Sequence, residues 1–201
     1  MVLSTICYPA LSHIHIRIPQ HYHRQPVVSR LISRYDLTIN IAAALLEPHT
    51  EDDGWFNLEI QGIRPQVEAA LDYLQELNIE IVLLEFKNLA QESQEKLKFL
   101  CATTNFFNEQ IEDDKKEADL NVVEGQTSCA KFQVCIPKNY HSYPVLAGLV
   151  SCYGLTVNIT GAMLDTNTEN DGWFDLELWG GRQQIVLGLK YLKELGLQIW
   201  L

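Results

Sequence analysis

The sequence has no pair of cysteines at C-x-x-C spacing. Its five cysteines, Cys7, Cys101, Cys129, Cys135 and Cys152, are odd in number and widely scattered. A disulfide framework or an iron–sulfur cluster needs tighter, repeated spacing, so these read as incidental thiols in a reduced compartment. No apolar run reaches the roughly 20 residues that a membrane-spanning helix needs. The opening Met1-Val2-Leu3-Ser4-Thr5-Ile6 lacks a basic start and soon meets Pro9, which is unlike a signal peptide. The expected location is the cytoplasm. Positive charge is in short supply: 15 Lys and Arg against 26 Asp and Glu leave a net charge of −11. Phosphate backbones are bound by Lys and Arg that release counterions, so no nucleic-acid partner is expected. There is also no G-x-x-x-x-G-K-[ST] loop, nucleophile elbow or EF-hand loop, which removes the common signatures of a P-loop ATPase, a serine hydrolase and a calcium switch.

What the sequence does have is itself, twice. A shift of 118 residues aligns His15–Leu83 with Gln133–Leu201 without a gap, and nearly half of the 69 positions are identical. The densest stretch sets Thr50-Glu51-Asp52-Asp53-Gly54-Trp55-Phe56 against Thr168-Glu169-Asn170-Asp171-Gly172-Trp173-Phe174. Such agreement marks an internal duplication.

Each copy reads as β-α-β-β-α-β. Ile14, Ile16 and Ile18 alternate with His13, His15 and Arg17, the period of a half-buried strand. Pro26 stands at a helix start, and Val27, Val28, Leu31 and Ile32 recur at helical spacing. Leu37, Ile39 and Ile41 begin a second strand; Asp53-Gly54 signals a hairpin turn; Phe56, Leu58 and Ile60 form the inward face of a third strand. Val67, Ala70, Leu71, Leu74 and Leu77 mark a second helix, and Ile79–Leu84 the last strand. This order is the ferredoxin-like split βαβ, an α+β fold with a four-stranded antiparallel sheet and both helices on one face. The expected division is a first domain at 12–85, an acidic linker at 86–129 with a short helix near its start, and a second domain at 130–201. The later linker, Asn108–Thr127, is poor in large apolar groups and expected to be mobile.

Strand alternation places Thr38, Asn40 and Ala42 on the open face of the first sheet, beside Trp55, Asn57, Glu59 and Gln61. The second copy offers Thr156, Asn158 and Thr160 beside Trp173, Asp175, Glu177 and Trp179. Four positions repeat: Thr38/Thr156, Asn40/Asn158, Trp55/Trp173 and Glu59/Glu177. Core packing does not require Asn or Trp there. Either the other copy covers this face, or the eight residues form a polar-aromatic ligand site, and the two can hold together. His13, His15, His21 and His23 invite a metal, but only His23 recurs, as His141, so no metal is expected. Glu59 and Glu177 lack a paired nucleophile or second carboxylate, so no enzyme activity and no cofactor are expected.

The segments Pro26-Val27-Val28-Ser29-Arg30-Leu31, Leu37-Thr38-Ile39-Asn40-Ile41-Ala42 and Asp53-Gly54-Trp55-Phe56 together resemble the NIL domain. Its Asn-Ile-Leu motif is matched by Asn40-Ile41-Ala42 and Asn158-Ile159-Thr160, with the third position altered in both. The resemblance spans both repeats and implies an ACT-like, ferredoxin-type fold, as at the C-terminus of methionine importer ATPases, where two copies pair to bind methionine. It implies Asn40 and Asn158 as leading ligand contacts. The Thr-Glu-x-Asp-Gly-Trp-Phe stretch is most similar to free-standing NIL proteins of cyanobacteria. Two functions follow as expectations: a regulatory module sensing an amino acid such as methionine between two domains, paired within one chain or as a homodimer, or a scaffold that binds a protein partner through its open faces or edges.

Overall fold

A computed structural model describes residues 9–48, 50–88, 127–165 and 170–200. The first copy comprises β1 (Pro9–Ile18), α1 (Val27–Tyr35), β2 (Thr38–Leu46), β3 (Gly54–Ile63), α2 (Arg64–Glu76) and β4 (Glu80–Asn88). The second comprises β5 (Thr127–Ile136), α3 (Val145–Tyr153), β6 (Thr156–Leu164), β7 (Gly172–Gly181), α4 (Arg182–Glu194) and β8 (Gln198–Trp200). A short 3-10 helix follows the first strand of each copy, at Gln20–Tyr22 and Lys138–Tyr140. Strands β4 and β5 reach a few residues into the segment expected as linker; the expected linker helix beyond Asn88 and the acidic stretch up to Gln126 lie outside the described residues.

The alternation read from the sequence decides which face is buried. Ile14, Ile16, Phe56, Leu58 and Ile60 are each at most 2% exposed, because they point at the helices. In α1 the apolar stripe Val27, Val28, Leu31 and Ile32 is buried against them. Each copy has the strand order expected of the ferredoxin-like fold, β4-β1-β3-β2 and β6-β7-β5-β8.

The copies join edge to edge. Strand β2 pairs antiparallel with β6 through Ala44↔Leu164, Leu45↔Met163 and Leu46↔Ala162, which produces one eight-stranded sheet. Helix α1 packs against α3 and β6, and α3 packs against β2, so a single apolar core runs through both copies. Burying the apolar surface of two small cores together stabilises each. The open faces therefore lie side by side; neither copy covers the face of the other.

Two local features depart from the sequence pattern. A bulge interrupts β2 between Ile41 and Ala43, and its counterpart interrupts β6 between Ile159 and Gly161. One extra residue reverses which side chains point outward, so Ala44 and Leu46 are buried while Leu45 and Met163 stand 51% and 61% exposed on the open face. Ala42 and Thr160, expected as ordinary open-face residues, are the bulged positions. The second feature is Asp53-Gly54. Gly54 is not among the residues with positive φ, so the pair does not form the tight turn that its sequence suggests. Gly54 opens β3, where an added Cβ would come within 3.0 Å of Leu46; Gly172 opens β7 under the still closer Leu164, 2.6 Å away.

Candidate functional site

The repeated polar residues form two kinds of structure at the seam. The first is a pair of reciprocal latches. Asn40 donates from Nδ2 to the backbone carbonyl of His141 at 2.9 Å and to Glu59 Oε2 at 3.1 Å. Asn158 donates to the backbone carbonyl of His23 at 3.2 Å. Each motif Asn thus holds the connection between the first strand and first helix of the other copy. That connection is itself fixed by repeated residues. Asp53 Oδ1 accepts from the Gln20 amide at 3.1 Å, and Asp171 Oδ1 accepts from Lys138 at 3.3 Å. The His23 and His141 rings meet the carbonyls of Ile18 and Ile136, both at 3.2 Å. The Asp of the Asp-Gly-Trp-Phe stretch, the one recurring His and the motif Asn are therefore parts of one device. The helices add an unequal contact: Ser29 of α1 accepts the Val157 amide at 3.1 Å, whereas Ala147 of α3 stands in the place of Ser29 and has no hydroxyl.

The carboxylates are drawn into the same network. Glu59 lies 3.9 Å from His13. Glu177 bonds Lys131, which occupies the place of His13; that bond chiefly holds its carboxyl below the ordinary carboxylate range, with Asn158 and Trp179 adding to the effect and burial opposing it. The neighbouring Cys129 thiol is pushed up by burial and then by Glu177, which disfavours the nucleophilic thiolate. Thr38 and Thr156 pair with Gln61 and Trp179, at the end of each strand away from the seam.

The second structure is a pair of grooves on the open face. One, of about 520 Å³, lies between His15, Trp55 and Asn57 of the first copy and Met163, Asp165 and Asp171 of the second. The other, of about 490 Å³, lies between Trp173, Gln133 and Asp175 of the second copy and Leu45, Glu47 and Pro48 of the first. Leu45 and Met163, turned outward by the bulges, line both floors. The walls differ. Trp55 carries the His15 ring edge-on at 5.4 Å and the Arg17 guanidinium at 5.8 Å. Trp173 instead packs at a tilt against Trp200, with ring centroids 5.0 Å apart. Beside each motif Asn lies a cavity of about 20 Å³, room for about one water.

The NIL domain profile matches residues 12–82 and 131–200. The chain belongs to the NIL domain family. The chain also has relatives in cyanobacteria: an uncharacterized protein of Synechococcus elongatus is 35% identical over 72 residues, 36% of this chain and 89% of its own length. An uncharacterized protein of Synechocystis is 39% identical over 70 residues, 35% of this chain and 71% of its own. Each match has the length of one NIL domain. Among solved structures, a microcompartment protein from Desulfitobacterium hafniense aligns with 96% of this chain and 94% of its own at 7% identity, with a TM-score of 0.29, too low to carry an argument.

Of the eight residues expected to contact ligand, the structure places Trp55 and Trp173 in the NIL grooves. Asn40, Asn158, Glu59 and Glu177 sit in the latches, and Thr38 and Thr156 lie apart from both. Among the described residues no group of three metal-ligating side chains comes together, and no helix is long and apolar enough to cross a membrane. Sequence reasoning missed Leu45, Met163 and Asp165, whose outward or cross-seam placement depends on the bulges and on the edge-to-edge pairing. It assigned His15 only to a rejected metal site.

Proposed function

We propose that this chain is a non-catalytic cytoplasmic regulatory module that binds a small molecule, an amino acid such as methionine, between its two NIL domains. The supporting observation is the pair of Trp-walled grooves, each closed by residues of both copies. Their size is that of small-ligand sites, which combine an apolar floor with a few placed polar groups. A ligand seated there contacts both domains at once, so its binding energy acts directly on their pairing. Carrying both domains on one chain gives each a high effective concentration for the other, where separate single-domain chains would have to associate.

Exposed aromatics outside the grooves favour a second reading. Trp179 and Trp200 are each 43% exposed, and large exposed aromatics suit a protein partner. In that reading the open face is a docking platform. The two are separated by thermal melting and isothermal titration of the purified chain against the proteinogenic amino acids. The metabolite reading expects saturable heat and a raised Tm with an apolar amino acid. Neither effect with any amino acid, together with stable co-purification of one defined protein, would replace it with the scaffold reading.

A further inference from the structure

The two grooves are equivalent by symmetry but not by chemistry. In the first, side-chain donors come from His15 and Asn57, and carboxylates from Asp165 and Asp171 across the seam. Among the described residues, no hydrogen bond engages the Asn57 amide. In the second, the position of His15 is Gln133 and that of Asn57 is Asp175. Gln133 donates from Nε2 to Asp175 Oδ1 at 2.9 Å, which engages one of its two N–H groups. The charged groups of the second groove are Glu47 and Asp175, both acidic.

A free amino acid brings an ammonium, a carboxylate and a side chain. The ammonium is served in either groove by an aspartate or glutamate. The carboxylate is served unequally: both grooves carry two acidic side chains, but the second offers it only the remaining N–H of a Gln133 amide already bonded to Asp175, while in the first an imidazole and an unengaged amide face it. Charge-assisted hydrogen bonds are about twice as strong as neutral ones, so the extra donors favour the first groove.

Resting on the small-molecule reading above, we infer that each chain binds one zwitterionic amino acid with an apolar side chain, in the first groove alone. Its carboxylate meets His15 and Asn57, its ammonium meets Asp165 or Asp171, and its side chain lies on Trp55 and Met163. The second groove keeps the same apolar floor but stays empty of amino acids. The chain is thus a two-domain sensor with a single working site.

Titration calorimetry with methionine as the probe tests this on the full chain. A stoichiometry of one is expected. His15→Gln with Asn57→Asp, which copies the Gln133–Asp175 pair of the second groove into the first, weakens binding by about tenfold or more, the loss expected when donors to a charged group are removed. Trp173→Ala leaves binding within about twofold. Because Trp173→Ala also removes the ring contact with Trp200, its melting curve and that of the His15→Gln/Asn57→Asp variant are recorded; a folded chain with the stated affinities supports the assignment. The reciprocal double variant, Gln133→His with Asp175→Asn, is expected to raise the stoichiometry toward two. Two equal sites in the parent chain, or equal losses from the His15→Gln/Asn57→Asp variant and Trp173→Ala, overturn the single-site inference and leave the sensing function intact. No heat from methionine or any other apolar amino acid with the parent chain overturns both.

Discussion

Replacing the two motif asparagines separates a latch from a ligand contact. In Asn40→Ala the His141 carbonyl loses its 2.9 Å donor and Glu59 loses a 3.1 Å donor. Asn40 is only 8% exposed and Asn158 only 3%, so water replaces these bonds poorly. A buried acceptor left without a partner costs about 1–3 kcal/mol. Asn158→Ala removes the bond to His23 and one of the partners of Glu177, with a cost in the same range. The two sites share no partner, so the double variant is expected to lose about 2–6 kcal/mol, the sum of its parts. For a chain of this size 1 kcal/mol lowers Tm by about 2–4 °C. Asn40→Asp is a sharper control: it keeps the shape, removes both N–H donors and sets a carboxylate against a carbonyl and Glu59, so it falls at or beyond the upper end. The assay is urea unfolding followed by far-UV circular dichroism, without ligand. Since each Asn holds the other copy, the double variant is also expected to broaden or split the transition. Variants that unfold within about 0.5 kcal/mol of the parent while losing amino-acid binding would refute the latch and return both asparagines to the ligand site.

Three further outcomes follow from differences between the copies. Ser29→Ala orphans the buried Val157 amide and is expected to cost about 1–3 kcal/mol in urea unfolding, whereas a change at the corresponding Ala147 removes no such bond. Gly196 has φ of 76° with nothing within 4 Å of an added Cβ, so Gly196→Ala isolates the backbone penalty of a left-handed residue, about 1–2 kcal/mol, while Gly196→Asn, matching Asn78 in the first copy, is expected to cost less. Burial pushes the Tyr153 hydroxyl up to about 12, and raises that of its stacked neighbour Tyr191 further. Their stabilising contribution is complete below the ordinary tyrosine range and is lost as pH rises through these raised values, at about 1.4 kcal/mol per pH unit for each group while only the unfolded form ionises. Absorbance titration near 295 nm is expected to show a late step that shrinks in Tyr153→Phe.

The architecture of each copy was legible because duplication and period-two alternation act locally: Ile14, Ile16, Phe56, Leu58 and Ile60 are buried as their spacing implied. Trp55 and Trp173 were likewise legible on the open face, and both line grooves. The remaining groove residues were not. The run Ile41-Ala42-Ala43-Ala44-Leu45-Leu46 has no polar member to mark its phase, so nothing in it announces the bulge that turns Leu45 outward. The latch was hidden for a different reason: Asn40 and His141 are 101 positions apart, and a backbone carbonyl leaves no mark on the sequence at its own position. Asp53-Gly54 misled because Asp-Gly usually signals a turn; here the Asp caps the 3-10 helix and the Gly makes room for a leucine.

The bulge also sets how the central strands tolerate changes in length. Loss of a single residue at Ala42 would restore strict alternation through the end of β2. Ala44 and Leu46, now 5% and 4% exposed, would still face the core and Leu45 the open face, because Ile41 and Ala43 already pair with consecutive residues of β3, and the pairing with β6 would keep its register. The unpaired residue is thus a spare step that absorbs a one-residue deletion before it reaches the seam, at the Met163 that pairs with Leu45. Descendants of this gene are expected to vary the residue at position 42 freely and to tolerate its loss.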